Sequence, residues 1–232
     1  MTQPKINAFF HKDTATMTYI VWCEATKKCA IIDSVLDYDP HAGRTSTQSA
    51  DGVIAFIKEQ GLTTEWILET HIHADHLTAA PYLKEHLGGQ TAIGDRIKDV
   101  LDFWIPVYNI KKDTPQDGSQ FDHLFHDGES FKIGNLTATV LHTPGHTPAC
   151  VSYHIENSIF VGDSIFMPSL GTARVDFPGG SAETLYNSIQ RLFKLANSTK
   201  VFVGHIYPKP HETAVFETTI GDQKQKNTLL DK

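Results

Sequence analysis

The sequence predicts an α+β fold in which β-sheets pack inside outer layers of helices. Short runs of β-branched and aromatic residues, typical of strands, occur in the N-terminal third and again over residues 130–161. Segments with apolar residues at helical spacing, at residues 51–60 and 182–195, lie beside these strand-rich regions. Strands on both flanks of two helix-bearing regions favour sheets covered by helices.

The elements of the first half follow from local patterns. The predicted order is a strand at 17–24, a strand at 29–33, a loop at 37–49, a helix at 51–60, a strand at 66–68 and a helix at 78–87. The first helix has Val53, Ile54 and Ile57 on one face, and Gly61 stands where a helix would stop. Residues 97–125 mix aromatic and polar residues, and they predict a short helix followed by a lid or surface insertion.

The second half predicts a further set of strands. They are expected at 130–133, 136–142, 150–155, 158–161 and 201–203, with a helix at 182–195 and a tail at 212–232 that is helical at first and then frayed. The length of 232 residues favours one domain over the whole chain, 1–232, with the segment 97–125 inserted into it.

The composition argues against several classes of protein. The content of 40% hydrophobic and 20% charged residues is ordinary for a globular protein, and no apolar run is long enough to span a membrane. A net charge of -7 argues against a general nucleic-acid surface. The first residues lack the apolar core of a secretion signal, and three cysteines do not form a disulfide framework. A cytoplasmic location is therefore expected.

Four potential metal ligands fall within six consecutive residues: His71, His73, Asp75 and His76. They follow the apolar segment 66–68. Alternate residues of a strand face the same side, so His71 and His73 can project together. A turn after the strand would then direct the other two side chains toward the same cavity.

Three further strand ends carry a ligand type. His146, Asp163 and His205 each follow a predicted strand, and a glycine precedes each of them. Loops at strand ends are where rigid scaffolds carry their sites. Imidazoles and carboxylates without a thiolate suit Zn, Fe(II) or Mn rather than a structural cysteine-type zinc site. The seven residues together predict a catalytic centre that holds one or two ions.

The order of these seven residues resembles the metallo-β-lactamase superfamily. The pattern is His71-x-His73-x-Asp75-His76, followed by Gly-His146, Gly-Asp163 and Gly-His205, and it covers nearly the whole chain. The resemblance implies an αβ/βα sandwich of two mixed β-sheets flanked by helices, with metals at one edge.

Within that superfamily, three segments look like the persulfide dioxygenases, including the bacterial β-lactamase-like hydrolase branch. They are residues 143–150 (TPGHTPAC), 161–166 (VGDSIF) and 171–180 (GTARVDFPGG). The resemblance implies oxidation of glutathione persulfide by O2 to sulfite and glutathione, in sulfide detoxification. It also implies one Fe(II) per chain, bound by His73, His146 and Asp163. The remaining four ligand types would then orient these ligands or hold a second ion.

Further residues are candidates for binding the substrate. Arg174 could bind a glutathione carboxylate in a bidentate way, or it could pair with Asp176 and brace the loop. Tyr207 and Lys209 could contact the glutathione tail, and both also suit an ordinary loop. The family usually has aspartate directly after the last histidine, where this chain has Ile206, so a carboxylate that could orient the histidine or support a second ion is missing. A homodimer is a family-level expectation.

A dinuclear zinc thioesterase of the glyoxalase II type is the main alternative. It would use one or two Zn(II) ions and a metal-bound hydroxide that attacks the carbonyl of an S-acyl glutathione. All seven ligand types are present, so the ligands do not exclude it. The segment 171–180 and the short stretch after His205 favour the dioxygenase. A non-enzymatic metal-dependent sensor is the remaining alternative, and an intact ligand set argues against it.

Overall fold

The computed structural model describes residues 3–110, 114–209 and 211–230. Its strands are β1 (Lys5–His11), β2 (Thr16–Trp22), β3 (Lys28–Ile32), β4 (Val35–Asp39), β5 (Arg44–Ser46), β6 (Thr63–Leu68), β7 (Leu77–Thr78), β8 (Gln90–Gly94), β9 (His123–Phe125), β10 (Ser130–Ile133), β11 (Leu136–His142), β12 (Val151–Ile155), β13 (Ser158–Phe160), β14 (Lys200–Phe202) and β15 (Glu217–Thr219). Its α-helices are α1 (Gln48–Glu59), α2 (Ala80–Leu87), α3 (Ile97–Tyr108), α4 (Ala182–Leu192) and α5 (Ile220–Lys226), and a 3-10 turn follows at Thr228–Leu230.

Two six-stranded mixed sheets form the centre of the fold. The first has the order β1-β2-β3-β6-β8-β9; its first three strands are antiparallel, and β3, β6, β8 and β9 run parallel. The second has the order β10 to β15 and is antiparallel except where β13 and β14 run parallel. A small sheet of β5, β4 and β7 lies apart from both. The parallel strands end at the same edge, which gathers the residues that follow them.

The two large sheets pack against each other through a shared apolar core. Strand β2 directs Tyr19 and Val21 into this core, while Ile20 between them faces a separate cluster with α1 and α2. This is the period of two that a strand buried on both faces requires. Two phenols also connect the sheets, since Tyr19 donates to the carbonyl of Val203 at 2.6 Å and Tyr153 to that of Glu69 at 2.8 Å.

Helices cover the sandwich. Helices α1 and α2 pack on the first sheet through residues such as Val53, Ile57 and Leu83. Helix α4 places Leu185 and Ile189 in the central core, and Ser181 caps it by accepting from the amide of Thr184. The predicted α+β sandwich of two mixed sheets with outer helices is confirmed.

Several elements differ from the sequence-based prediction. Residues 37–49 include the β4–β5 hairpin, where a loop was expected, and residues 217–219 form β15, where a helix was expected. Strands β1 and β8 had no prediction. The segment 97–125 begins with α3, which is three turns long, and ends in β9, which pairs with β8 in the first sheet. Its last residues therefore belong to the sheet, and residues 111–113 lie outside the described residues.

Within residues 3–110, 114–209 and 211–230, none of the helices combines the length and the apolar character that crossing a bilayer demands.

Candidate metal centre

Three potential ligands from both sheets meet at one point. His71 follows β6 of the first sheet, whereas His146 follows β11 and Asp163 follows β13 of the second. Their ligand atoms lie within 4.8 Å of one another. The Oδ2 atom of Asp163 is 3.9 Å from Nε2 of His71 and 3.6 Å from Nε2 of His146. All three residues are buried, so this is a buried group of two imidazoles and one carboxylate.

A hydrogen-bond chain fixes the proton of His71. The hydroxyl of Thr70 donates to Oδ2 of Asp33 at 2.9 Å, so it can only accept from Nδ1 of His71, 3.0 Å away. The proton of the imidazole is therefore on Nδ1, and Nε2 presents a lone pair. Burial and the neighbouring imidazoles hold the pKa of His71 well below its ordinary value, which keeps the ring neutral. This is the protonation state that a metal ligand needs.

A tight turn orients His146 in the same way. Its Nδ1 donates to the carbonyl of Arg174 at 2.8 Å, which leaves Nε2 directed toward Asp163. Gly145 has φ +140, and a Cβ there would lie 2.4 Å from the backbone of Leu185 in α4. Only glycine allows the turn to pack this closely on the helix.

The carboxylate of Asp163 is short of partners. Its Oδ1 is buried without a hydrogen bond, and Nε2 of His205 is 3.3 Å from it. Burial raises the pKa of Asp163, and the neighbouring histidines oppose that rise. Gly162 precedes it with φ +48, and a Cβ there would lie 2.3 Å from the hydroxyl of Thr70. The strand ends of the two sheets are thus in direct contact beside the ligands.

The residues of this centre fit a divalent cation. Among the described residues, four buried polar atoms of the cluster have no hydrogen-bond partner: His71 Nε2, His73 Nδ1, His76 Nε2 and Asp163 Oδ1. Each unsatisfied buried group costs about 1–3 kcal/mol. Of these, Nε2 of His71, Nε2 of His76 and Oδ1 of Asp163 present lone pairs that a bound cation would satisfy, and the all-N/O donor set suits Fe(II), Zn(II) or Mn(II).

The sequence analysis expected His73 to lie with His146 and Asp163, but the structure does not group it with them. Its Nε2 lies 3.2 Å from Oδ1 of Asp33 and 3.2 Å from Oε2 of Glu69. Burial would lower the pKa of His73, but these two carboxylates hold it well above its ordinary value. Two acids buried beneath the centre therefore engage one nitrogen of His73, and His71 takes the expected place beside His146 and Asp163.

Sequence reasoning missed Asp33 and Glu69. Asp33 directly follows β3 and accepts from the amide of Thr70 at 2.7 Å, and Glu69 directly follows β6 and accepts from the hydroxyl of Thr78. Both are buried, and burial raises the pKa of Glu69. The signal was available, since each carboxylate comes directly after a buried strand, and Asp163 likewise follows a strand within a few residues.

The other predicted ligands surround the group without joining it. Asp75 and His76 share a cluster with His73, whose ligand atoms also lie within 4.8 Å of one another. His76 donates from Nδ1 to the carbonyl of Leu77, and its ring stacks on that of His73 at 4.2 Å. His205 donates from Nδ1 to the carbonyl of Ala15 at 3.3 Å, and its Nε2 lies 3.7 Å from Asp75.

The residue after His205 has a clear structural role. Ile206 is buried and belongs to the apolar core between the sheets. An aspartate in this environment would be costly, because a buried charge needs a partner. In this chain the position therefore serves packing rather than the orientation of His205.

A cavity of about 450 Å³ opens onto the centre, and we call it the Arg174 cavity. Arg174, Tyr207, His146, Asp163 and His205 are among its lining residues. The guanidinium of Arg174 forms two hydrogen bonds of 2.6 Å with the exposed carboxylate of Asp176, which it holds at a pKa of about 2. The brace that the sequence analysis offered as one alternative is thus present.

The other two candidate substrate residues differ in placement. Tyr207 lines the Arg174 cavity, and its ring stacks on that of His205 at 6.3 Å. Lys209 is exposed, its backbone amide donates to Glu212, and it is not among the residues that line the cavity. The described geometry thus brings Tyr207, but not Lys209, to the centre.

Comparison with known proteins agrees with this geometry. Residues 12–205 match the model of the metallo-beta-lactamase superfamily. The chain belongs to the metallo-β-lactamase superfamily. Members of this superfamily bind metal ions, and the donor set described above fits that property.

Relatives of this superfamily member carry different names. It is 54% identical over 225 residues to glyoxylase B2 of Dictyostelium discoideum, covering 96% of this chain and 77% of that protein. It is 47% identical to a beta-lactamase hydrolase-like protein of Xylella fastidiosa, covering 98% of this chain and 52% of that one. The chain therefore spans about half the length of this second relative.

More distant relatives bear the name of a persulfide dioxygenase. The mitochondrial persulfide dioxygenase ETHE1 of Bos taurus is 28% identical, over 97% of this chain and 75% of that protein. The crystal structure of ETHE1 from Myxococcus xanthus superposes with a TM-score of 0.76 at 28% identity, covering 97% of this chain and 83% of that one. The family and fold are shown, and the relatives include names of both an oxidoreductase and a hydrolase type.

Proposed function

We propose that the chain is a mononuclear iron persulfide dioxygenase that oxidises glutathione persulfide to sulfite and glutathione. The observation that carries the proposal is the compact group of His71, His146 and Asp163. In many Fe(II) oxygenases, two imidazoles and one carboxylate bind one face of the iron and leave its other coordination positions open. The likeness to proteins named persulfide dioxygenase supports the same assignment.

The overall reaction balances without an organic cofactor. One persulfide, one O2 and one water give one thiol, one sulfite and two protons; the S–S bond breaks, the outer sulfur is oxidised and O2 is reduced. An Fe(II) ion held by the three residues would supply the binding and activation of O2 beside the persulfide sulfur.

The residues of the chain itself have three tasks in this proposal. His71 and His146 keep their lone pairs in place because Thr70 and the carbonyl of Arg174 accept their other protons. The rings of Phe166 and Phe177 line the Arg174 cavity and limit the access of water. Tyr207 and the guanidinium of Arg174 offer polar contacts to the peptide part of glutathione. A cytoplasmic location, a single domain and a homodimer stay predictions.

A dinuclear zinc thioesterase is the second candidate, and a specific observation favours it. His73, Asp75 and His76 form an adjacent cluster, in which Nδ1 of His73 and Nε2 of His76 are buried without partners. A second ion there would satisfy the lone pair on Nε2 of His76, and it would bind Nδ1 of His73 with release of the proton on that nitrogen. The relative named glyoxylase B2, at 54% identity, points the same way.

Metal analysis coupled to an oxygen-electrode assay tests the proposal. Protein purified without added metal should contain about one iron per chain, which the proposed site predicts. It should also consume one O2 for each glutathione persulfide oxidised. Protein loaded with zinc in place of iron is the matched control, and it should show no O2 uptake because zinc has no redox chemistry.

The opposite result selects the second candidate. Two zinc ions per chain, no O2 uptake with glutathione persulfide, and rapid hydrolysis of S-lactoylglutathione would replace the dioxygenase by the thioesterase. The absence of both activities, in protein that retains its metal, would contradict both candidates.

A further inference from the structure

A second cavity, distinct from the Arg174 cavity, reaches the metal centre from the side of α3. It has a volume of about 430 Å³ and we call it the α3 cavity. Its walls include Leu101, Trp104 and Tyr108 of α3, together with Ile110 just after the helix. Nothing in the proposed function uses it.

The α3 cavity shares a wall with the Arg174 cavity. His146, Ala74 and Phe177 line both, so the two spaces meet at a ligand of the metal centre. His73 also borders the α3 cavity. A group bound there would therefore lie directly beside the reacting sulfur, on the side away from Arg174.

The chemistry of the α3 cavity is apolar. The described residues that line it include no lysine, arginine, aspartate or glutamate. Trp104 stacks on Tyr108 with ring centroids 5.4 Å apart, which gives a flat apolar wall. Its volume lies within the range of about 300–1,000 Å³ for small-molecule sites, which are mostly apolar with a few polar groups.

We propose that the α3 cavity binds the organic group of persulfides derived from apolar thiols, so that the chain accepts alkyl or aryl persulfides besides that of glutathione. This inference rests on the proposed function, since it names a further substrate class for the same centre. The terminal sulfur meets the ligands at His146, and the apolar group extends along α3 instead of entering the Arg174 cavity.

Binding of the thiol product tests the cavity without relying on turnover. We would titrate metal-loaded protein with ethanethiol, propanethiol, butanethiol and pentanethiol under nitrogen and measure Kd by calorimetry. The thiol group is the same throughout the series. The change in Kd for each added methylene, which we call the increment, therefore reports the contribution of the apolar chain alone. Each methylene buried in the cavity should tighten Kd about fourfold, which is about 0.8 kcal/mol.

Variants of the cavity wall locate the effect. Ile110→Asp places a charge at a half-exposed wall position, and it should reduce the increment to less than about twofold per methylene. Trp104→Ala removes the stacked wall and should weaken the longer thiols most. Val107→Asp is the matched control, because Val107 lies on the same helix, is 58% exposed and does not line the cavity; it should keep the wild-type increment.

Two results would overturn the inference: Kd independent of chain length in the wild type, or an undiminished increment in both cavity variants. The oxygen electrode separates this failure from that of the proposed function. Chain-length dependence without O2 uptake would leave an apolar site in an enzyme of another reaction. O2 uptake with glutathione persulfide and no dependence on thiol length would remove the α3 cavity alone.

Discussion

His71 and His73 belong to one motif, but on the two sides of the metal centre they have different hydrogen-bond partners and different protonation. On one side, His71 is neutral and its Nε2 lies near Asp163 and His146 without a hydrogen bond. On the other, His73 is clamped through Nε2 by two buried carboxylates. The difference teaches that the role of an imidazole in such a motif depends on what accepts its other proton, and not on spacing alone.

Substitution of the two histidines tests this difference most strongly. His71→Ala removes a proposed ligand, and we expect it to abolish iron retention after gel filtration. His73→Ala removes a neighbouring group, and it should weaken metal affinity by about 10–100-fold at most. Iron content per chain, measured by plasma emission spectrometry, distinguishes the two. Equal loss in both variants, or a larger loss in His73→Ala, would restore the assignment made from the sequence.

Substitution of Asp33, one of the two carboxylates that contact His73, should have the next largest effect. Asp33→Asn keeps the shape but removes a charge from the network of His73 and Thr70, so we expect metal affinity to fall about 10–100-fold. The melting temperature should also fall, because breaking a buried charged pair costs about 3–5 kcal/mol. Chelator competition and calorimetry measure the two effects. Asp102→Asn, at an exposed position of α3, is the control and should change neither.

The hydroxyl of Thr70 offers a finer test. Thr70→Val is nearly isosteric but leaves Nδ1 of His71 without an acceptor, and we expect about a tenfold loss of metal affinity with the fold retained. Thr64→Val, at another buried threonine of the first sheet, is the control and should leave affinity unchanged. An unaltered dissociation constant in Thr70→Val would remove the proposed control of the His71 proton.

The smallest effect is expected at the exposed pair of Arg174 and Asp176. Asp176→Asn frees the guanidinium for a substrate carboxylate, so we expect KM for glutathione persulfide to fall by less than about fivefold. The melting temperature at neutral pH should fall only slightly, because an exposed ion pair contributes little to stability. Steady-state O2 uptake provides the measurement. A rise in KM would instead favour bracing of the loop as the role of the pair.

The pH dependence of this pair has a definite sign. The folded pKa of Asp176, about 2, is below its unfolded value, so the pair contributes at any pH above about 4 and is lost as pH falls toward 2. The small stability difference between wild type and Asp176→Asn should therefore be constant above about pH 4 and shrink as pH falls toward 2. Thermal melts across that window check the expectation, and a difference in melting temperature that varies with pH near neutrality would contradict it.

Much of the fold could be predicted because its signals are local. Strands β10 and β11 have the predicted bounds, since alternating apolar residues and the turn at Gly134 mark them. Strand β8 could not be predicted in the same way, because its five residues QTAIG gain strand structure from pairing with β6 and β9. Strand β5 is polar and exposed, and the β4 residues that pair with it, 37–39, are mostly polar, so no apolar alternation marks the hairpin.

The part of the site that could be predicted also depends on local sequence. The seven ligand types could be collected from the sequence because each follows a strand. The choice between His71 and His73 could not, since it depends on Asp33, which lies far upstream and reaches the site only because β3 and β6 run side by side. A ligand set that depends on contacts between strands distant in the chain needs the folded structure.

The origin of the three proposed ligands on two different sheets has a consequence for maturation. Neither half of the chain carries the complete set, because His71 belongs to the first sheet and His146 and Asp163 to the second. The ion can be captured by this set only after both halves have docked, so its incorporation is a late event in the biogenesis of the protein. The metal content of a preparation then counts the molecules that have finished assembling.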